Sequence, residues 1–477
     1  MSAAVTGSPV TAPRRFSRLR RRGFPRGYVG DGVSSSSMER NIEMNMAIGF
    51  FVIGLAALFT ATEAADDDGV SMEVRADRDD PVYRCGETAT FSIVVRDGEK
   101  AVTEGDVAVT LSLDGGRTIA EKTVALGPEP SSVSGTLEDP GFLLCTASVR
   151  IGGEERRAYQ AAGFEPERIE TTAVVPDDFD EFWAKGRARV DALPMDLRLV
   201  RIPRFSDEKQ ETFKISLINI NDTRIYGWLS VPKGRKPPYP AFVSVPGAGV
   251  GAPYKPITTE SEAGALSLVM GVHTHDLGLP VEDYEALAAG PLRHYGHEEV
   301  PDPEGYFFYR AILGIDRAVR YLISRPDWDG EHLAYYGSSQ GGGMGLTLAG
   351  LNPEFNSVAV NVPARCDRNA WRVGRGNRRP RGDSEEEREK FAKAAEYFDA
   401  VNFARKIRCP VVMSVGFRDR SCPPSSVYAA FNVIQAPKRI FHGPNSGHVF
   451  IPSFGEYFDQ WMSSHLGRAE PLPPKHE

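Results

Sequence analysis

Alternating hydrophobic and polar residues characterise the chain between residues 70 and 165. Four stretches with a period of two are separated by the turn-forming sequences Asp-Gly, Asp-Gly-Gly and Asp-Pro-Gly. Such alternation, broken by turn residues, is typical of antiparallel strands that bury one face. We therefore predict a small Ig-like β-sandwich over residues 70–165, followed by a linker that contains Pro166 and Pro176.

From residue 177 onward, short apolar runs alternate with helical periodicity. Strands are predicted at 213–220, 224–231, 240–246, 266–272, 332–336, 357–362, 410–415 and 438–442, and helices at 306–324 and near 454–465. A further helical face is formed by Phe179, Phe182, Trp183, Val190 and Leu193. Strands that alternate with helices indicate a doubly wound, mostly parallel α/β sheet. We assign this sheet to a domain over residues 177–467.

The first 64 residues differ from the rest of the chain. Residues 1–37 are rich in Arg, Ser and Pro, and residues 47–60 form an uncharged apolar block followed by small residues. Fourteen apolar residues suit a signal-peptide core better than a membrane span. We predict a disordered leader plus a signal peptide cleaved near Ala64, and hence a secreted or periplasmic protein. The alternative is an uncleaved anchor, and either Met1 or Met38 is the true start.

Net charge limits the kinds of binding partner that are expected, and the cysteines bear on the redox state of the compartment. The formal net charge is −8, and residues 1–64 carry 8 Lys and Arg against 4 Asp and Glu, so their removal leaves −12. An acidic surface argues against nucleic acid or anionic lipid as partner. Because disulfides persist in an oxidising compartment, we consider a Cys85–Cys145 disulfide. The other three cysteines have no CxxC partner and do not predict a zinc site.

The apolar run that ends in Gly-Ser-Ser-Gln-Gly at residues 337–341 has the layout of a nucleophile elbow. This sharp strand-to-helix turn exposes one serine hydroxyl above a sheet. The turn requires very small residues two positions before and two positions after the serine. Gly337 and Gly341 meet this requirement for Ser339, whereas Tyr336 excludes the same interpretation for Ser338. Ser339 is therefore the candidate nucleophile.

Two further residues follow strand ends in the order that a serine triad needs. A serine hydroxyl requires a base, and the base requires an orienting carboxylate. Asp419 follows the strand at 410–415, and His448 lies on the loop after the strand at 438–442. Taken alone, a loop aspartate between two arginines, as Asp419 is, is usually a surface ion-pair residue. The order Ser, Asp, His is that of α/β-hydrolases, so we predict that Ser339, Asp419 and His448 form a catalytic triad.

The oxyanion of an ester reaction needs backbone N–H donors. One is expected from Gln340, directly after the nucleophile, and the other from Ala248 on the loop after the third predicted strand. Gly247 on the same loop lets substrate approach the backbone. His273 and His275 end the next strand and are candidates to line the substrate pocket. No third ligand accompanies this His-x-His pair, so we expect neither a metal nor another cofactor.

Five segments together resemble the acetyl xylan esterase and cephalosporin C deacetylase family of carbohydrate esterases. They are Asp178-Phe-Asp-Glu-Phe-Trp, Gly337-Ser-Ser-Gln-Gly-Gly, Tyr397-Phe-Asp-Ala-Val-Asn-Phe-Ala, Asp419-Arg-Ser-Cys-Pro-Pro-Ser and Gly447-His. The resemblance implies the same three triad residues. The chain departs from the family pattern at His273-Thr-His, where Arg-Gly-Gln is usual, and at Pro246-Gly-Ala, where His-Gly-Tyr is usual. With these departures, the chain resembles an exported branch of the family that carries an added N-terminal sandwich domain.

The expected function is a secreted serine esterase that deacetylates acetylated carbohydrates through an acyl-enzyme. Its expected partner is an acetylated oligo- or polysaccharide, without nucleic acid and without membrane after signal cleavage, and a homo-oligomer is left open. One alternative is a peptidase of the prolyl-oligopeptidase type, although such enzymes usually carry a propeller. The other is a non-catalytic glycan-binding protein on the same fold, against which the intact triad argues.

Overall fold

The computed structural model describes residues 69–250, 255–296, 301–376, 379–380 and 382–468. All of these residues belong to one compact unit. The predicted leader and signal peptide, the cleavage site near Ala64 and the two candidate start residues lie outside the described residues. Among the helices of the described ranges, none combines the length and hydropathy that crossing a bilayer requires.

The first part of the described chain is a β-sandwich of two sheets. Its strands are β1 (Val70–Ala76), β2 (Val82–Tyr83), β3 (Ala89–Asp97), β4 (Lys100–Ala101), β5 (Asp106–Leu113), β6 (Thr118–Ala125), β7 (Ser131–Gly135), β8 (Gly141–Ile151) and β9 (Glu154–Phe164). One sheet has the order β1-β3-β4 with β7 paired to β3, and the other has the order β2-β9-β8-β5-β6. Alternate residues of β3 and β5, such as Phe91 and Val109, are buried between the sheets. The predicted sandwich is therefore confirmed.

The Cys85–Cys145 disulfide that the sequence left open is not formed in the structure. Both cysteines lie in the described ranges as free thiols. Cys145 is fully buried in the core between the sheets, where burial raises the pKa of its thiol to about 12. Cys85 lies half-buried beside this core and hydrogen-bonds Glu165. The two sulfur atoms thus occupy different surroundings.

The second part is an α/β structure built on a 9-stranded sheet. Its strands are β10 (Arg198–Arg201), β11 (Gln210–Asn219), β12 (Thr223–Pro232), β13 (Tyr239–Val245), β14 (Leu266–Met270), β15 (Trp328–Ser338), β16 (Ser357–Asn361), β17 (Val411–Gly416) and β18 (Lys438–Gly443). The strand order is β10-β11-β12-β14-β13-β15-β16-β17-β18. The pairings from β14 through β13 to β18 are parallel, and the others are antiparallel.

Helices cover this sheet and connect its strands. They are α1 (Phe179–Asp191), α2 (Thr259–Glu262), α3 (Val281–Ala289), α4 (Phe307–Ile323), α5 (Gln340–Leu351), α6 (Glu385–Glu396), α7 (Ala400–Ala404), α8 (Pro424–Val433) and α9 (Pro452–His465). The inner parallel strands are buried on both faces because helices pack on them. In β14 and β16 every residue is buried. This arrangement confirms the predicted mostly parallel α/β fold.

The sandwich and the α/β sheet share hydrophobic contacts. Phe142 and Leu144 of β8 belong to the same buried cluster as the strands and helices of the α/β part. The ring of Phe142 packs edge-on against Phe417, directly after β17, with ring centres 4.9 Å apart. It also contacts Tyr428 of α8 at 5.7 Å. The sandwich is thus packed against the end of β17, where the candidate acid loop begins.

Candidate active site

Ser339 occupies the turn between β15 and α5 in a conformation that few non-glycine residues adopt. Its φ is 55° and its ψ is −117°. Positive φ costs a non-glycine residue free energy, and such strained residues cluster at functional sites. A Cβ added at Gly337 would lie 2.5 Å from the carbonyl group of Gly341, and one added at Gly341 would lie 2.0 Å from the Val245 oxygen. The two flanking glycines therefore have no room for a side chain.

The structure brings Ser339, His448 and Asp419 into one hydrogen-bonded chain. His448 Nε2 lies 2.9 Å from Ser339 Oγ, and His448 Nδ1 lies 2.7 Å from Asp419 Oδ2. Because an ionised carboxylate only accepts hydrogen bonds, Nδ1 is the protonated nitrogen and Nε2 is free to accept from the serine. This geometry suits removal of the serine proton by the imidazole.

Asp419 is held in place by its own loop. Its carboxylate is buried, and Oδ1 accepts hydrogen bonds from the backbone N–H groups of Ser421 and Cys422, each 2.8 Å away. Oδ2 remains for His448. The two oxygens thus have separate roles, one in fixing the loop and the other in orienting the imidazole.

Asn361, at the end of β16, joins the elbow to the histidine loop. Its Nδ2 donates to Ser338 Oγ at 2.8 Å and to the Val449 carbonyl at 3.2 Å. Its Oδ1 accepts from Ser414 Oγ on β17 and from the Ile451 amide. Asn361 was not among the predicted site residues, because a single buried asparagine at a strand end carries no motif of its own.

The candidate oxyanion groups lie where α5 begins. The amide of Gln340 is the first of α5 and has no acceptor within the helix. Gln340 Oε1 accepts from the Tyr295 hydroxyl at 3.0 Å, and the Tyr295 oxygen accepts from the Gly249 amide at 3.0 Å. Gly247 and Ala248 are exposed on this loop. Tyr295, which the sequence analysis did not select, therefore fixes the loop relative to the helix.

His273 contacts the same loop, and His275 packs on His273. His273 is buried, and its Nε2 donates to the Gly249 carbonyl at 2.9 Å. Burial lowers the pKa of His273 to about 4, so the imidazole is neutral at pH 7. The His275 ring is stacked on His273 with centres 5.1 Å apart, and its Nδ1 donates to the Asp276 carbonyl. His273 thus braces the candidate oxyanion loop from within the fold, and His275 packs behind it.

In the described ranges, one group of three metal-binding side chains has its donor atoms close together. It consists of Asp419, Cys422 and His448, whose donor atoms lie within 4.8 Å of one another. The carboxylate and the imidazole in this group are already joined to each other by a hydrogen bond. Asp419 and His448 therefore belong to the serine-histidine-aspartate arrangement, and His273 and His275 are not part of the group.

Comparison with known proteins places this site in context. The family model for acetyl xylan esterase (AXE1) matches residues 167–465. Acetyl esterase Axe7A from Xylanibacter ruminicola is 29% identical over 321 residues, which are 66% of this chain and 72% of that protein.

Two solved structures share the fold. Acetyl xylan esterase 1 from Thermoanaerobacterium sp. has a TM-score of 0.55 at 24% identity, and the match covers 63% of this chain and 98% of that chain. The acetyl xylan esterase from Paenibacillus sp. R4 has a TM-score of 0.53 at 22% identity, with coverage of 63% and 99%. The residues that the family model matches include all three members of the serine-histidine-aspartate arrangement.

Proposed function

Because the chain belongs to the acetyl xylan esterase family, we propose that it is a serine esterase that removes acetyl groups from carbohydrates through an acyl-enzyme. Family membership and the acetyl esterase relative make the protein a carboxylic ester hydrolase. The observation that carries the finer proposal is the hydrogen-bonded chain from Ser339 through His448 to Asp419. No cofactor takes part in the proposed reaction.

Acylation begins when Ser339 Oγ attacks the carbonyl carbon of the acetyl ester. The serine proton passes to His448 Nε2, and Asp419 stabilises the imidazolium and keeps its orientation. The tetrahedral intermediate then collapses, and the bond between the carbonyl carbon and the sugar oxygen breaks. His448 returns the proton to that oxygen, which leaves the sugar hydroxyl and an acetylated Ser339.

Deacylation repeats the same steps with water. His448 Nε2 accepts a proton from the water molecule as its oxygen attacks the acetyl carbon. Collapse of the second intermediate releases acetate, and the proton on His448 returns to Ser339 Oγ. The enzyme is thereby restored without any net change.

The negative oxygen of each intermediate is assigned to the amides of Gln340 and Ala248. Each such donor typically contributes about 10²–10³ in rate. The hydrogen bonds from Tyr295 to Gln340 and from Gly249 to Tyr295 support this assignment, because they hold helix and loop at a fixed separation. Gly247, His273 and His275 are proposed to shape the adjoining part of the pocket.

The experiment compares an aryl acetate, acetylated xylo-oligosaccharides and a chromogenic peptide as substrates. We expect turnover of the aryl acetate and release of acetate from the oligosaccharides. We also expect a fluorophosphonate to label Ser339, and Ser339→Ala to abolish both turnover and labelling while unfolding at the same denaturant concentration as the wild type. Turnover of the peptide alone would favour the peptidase, and complete inertness would favour the glycan-binding alternative.

Export is part of the same proposal. The apolar block at residues 47–60, followed by small residues, supports a signal peptide removed near Ala64. Material recovered outside the cytoplasm should then begin near Ala65 when its N-terminus is sequenced. Retention of the uncleaved chain in membranes would contradict this proposal.

A further inference from the structure

One side chain of the sandwich contacts both loops that carry the proposed acid and base. Gln160 of β9 is buried, and its Oε1 accepts from Arg418 Nε, next to Asp419. Its Nε2 donates to the Pro444 carbonyl at 3.3 Å, on the loop that leads to His448. A single amide therefore bridges the acid loop and the histidine loop from outside the α/β sheet.

Arg418 extends this connection. Its Nη2 donates to the Val74 carbonyl of β1 at 3.2 Å and to Asn445 Oδ1 at 3.0 Å. Its backbone amide donates to the Ser446 carbonyl at 3.0 Å. The guanidinium thus contacts Gln160 and Val74 of the sandwich and also the histidine loop. These hydrogen bonds hold Arg418, the residue directly before Asp419, in place.

Asp114 makes a second connection on the other side of the acid loop. It is a buried residue of the sandwich with φ of 51°, and its Oδ2 accepts from the Ser425 amide at 3.1 Å and from Ser425 Oγ. Ser425 lies in the first turn of α8, where N–H groups have no helical acceptor. Pro423, at the N-cap position of this helix, has no side-chain oxygen, so the sandwich supplies the carboxylate that caps α8.

The Asp114 contacts are buried, and the Gln160 contacts are partly buried. Phe142 of the sandwich is fully buried against Phe417 and Tyr428, which flank Arg418 and Ser425 along the chain of the acid loop. Buried hydrogen bonds hold their groups more strictly than exposed ones, because a buried group that loses its partner costs about 1–3 kcal/mol. The acid loop is therefore restrained at both of its ends.

We propose that Gln160 and Asp114 are positioning residues, through which the sandwich sets the geometry of Asp419 and His448. This inference rests on the proposed function, since both residues act through the triad. The triad distances of 2.7 and 2.9 Å depend on the relative placement of the two loops that Gln160 bridges. The sandwich is accordingly a part of the catalytic unit.

The first test replaces Gln160 by leucine in the full chain. Gln160→Leu leaves Arg418 Nε and the Pro444 carbonyl without the bridging amide. Asn432→Leu is the matched control, because Asn432 Nδ2 donates to the Pro166 and Ile169 carbonyls at the far end of α8. Both variants lose two partly buried hydrogen bonds between the α/β part and the chain that precedes it.

Two measurements distinguish a positioning role of Gln160 from a purely structural role. We expect Gln160→Leu to lower kcat on an aryl acetate by about 10- to 100-fold with little change in KM, since small misplacements of catalytic groups have effects of this size. The downfield proton signal of the hydrogen-bonded His448 Nδ1–H should shift or broaden. Asn432→Leu should lower the unfolding midpoint but change neither kcat nor the proton signal.

A second pair of variants tests Asp114. Asp114→Asn keeps an oxygen that can accept from Ser425, so this variant should retain most of the wild-type kcat. Asp114→Leu removes the cap of α8, so this variant should lose most of kcat. This pair also decides the question if Gln160→Leu does not fold.

If kcat and the proton signal of Gln160→Leu and Asp114→Leu match those of the control Asn432→Leu, the sandwich only stabilises the fold and the inference is wrong. If the wild type hydrolyses no ester, the proposed function fails instead. The proton signal, which needs no substrate, still tests the positioning.

Discussion

Substitution of Gly341 by alanine tests how tightly the elbow is packed. A Cβ at this position would lie 2.0 Å from the Val245 oxygen, 3.0 Å from the Val245 carbonyl carbon and 3.2 Å from the Pro246 oxygen. Ordinary contacts of a Cβ begin near 3.4 Å. The clash is with backbone at the end of β13, a central strand that pairs with both β14 and β15. No side-chain rotation can relieve it, so α5 or β13 must move by more than 1 Å.

Such a movement has a cost in stability and a larger cost in activity. Overpacking a core typically costs about 1–3 kcal/mol, and a clash with central backbone belongs at the upper end of that range. The first turn of α5 carries the Gln340 amide and follows Ser339 directly. A displacement of about 1 Å in catalytic groups can cost about 10²-fold in rate. We therefore expect Gly341→Ala to lower kcat/KM at least that much.

The assay combines urea denaturation with kcat/KM for an aryl acetate. Gly127→Ala in the sandwich is the control, because the nearest heavy atom to its added Cβ lies 3.9 Å away and the site needs no positive φ. This control should change stability by less than about 0.5 kcal/mol, as surface substitutions usually do. If Gly341→Ala behaved like the control in both measurements, the elbow would not be packed as described and the reasoning would be refuted.

Three further outcomes follow from buried groups. Asp419→Asn should lower kcat/KM roughly 10⁴-fold with folding intact, because an amide favours the wrong tautomer of His448; a near-normal rate would identify another acid. Arg365→Leu should raise Tm, since the buried guanidinium hydrogen-bonds no protein atom of the described residues and only its stacking on the Phe308 ring offsets the cost of burying its charge; a lower Tm would mean that this contact outweighs that cost. Burial raises the pKa of Asp399 from 3.8 to about 7. Between these two pH values the folded state retains a proton that the unfolded state has lost, so the free energy of unfolding should fall as pH rises. Urea titrations of Asp399→Asn should show a weaker dependence of that free energy on pH.

Local patterns predicted the parallel sheet well because its strands are buried on both faces. The strand predicted at 266–272 is Leu266–Met270, and the one predicted at 357–362 is Ser357–Asn361. The family resemblance and the α/β-hydrolase fold are confirmed by the family match and by the two solved structures. The proposed triad followed from the same logic, because each residue was expected just beyond a strand end.

Elements without a one-sided hydrophobic pattern were missed. Strand β6, at Thr118–Ala125, has no buried residue and therefore shows no alternation. Helix α6 is strongly charged and was also missed, although the sequence at its N-terminus indicates where the helix begins. Ser384 Oγ accepts from the Glu387 amide at 3.1 Å, and Glu387 Oε2 accepts from the Asp383 amide. The sequence Ser-Glu-Glu-Glu is a capping-box pattern that could have located this helix.

Contacts between the sandwich and the triad loops could not be read from sequence at all. Gln160 and Arg418 are 258 residues apart, and Asp114 and Ser425 are 311 residues apart. Periodicity reports only which face of an element is buried, not which distant residue covers it. Prediction therefore assigned the sandwich an unspecified role, although two of its polar side chains contact the loops of the candidate site.

The part of the chain that supports this site is longer than the part that matches the family. The match begins at residue 167, yet Phe142, Leu144 and Ala161 are buried in the same hydrophobic cluster as the α/β strands. Removing residues 70–166 would expose Phe417 and Tyr428, and it would leave Arg418 and Ser425 without their partners in the sandwich. A chain cut at the family boundary would therefore lose apolar burial and loop restraint together. Experiments on the chemistry of Ser339 accordingly require the sandwich to be present.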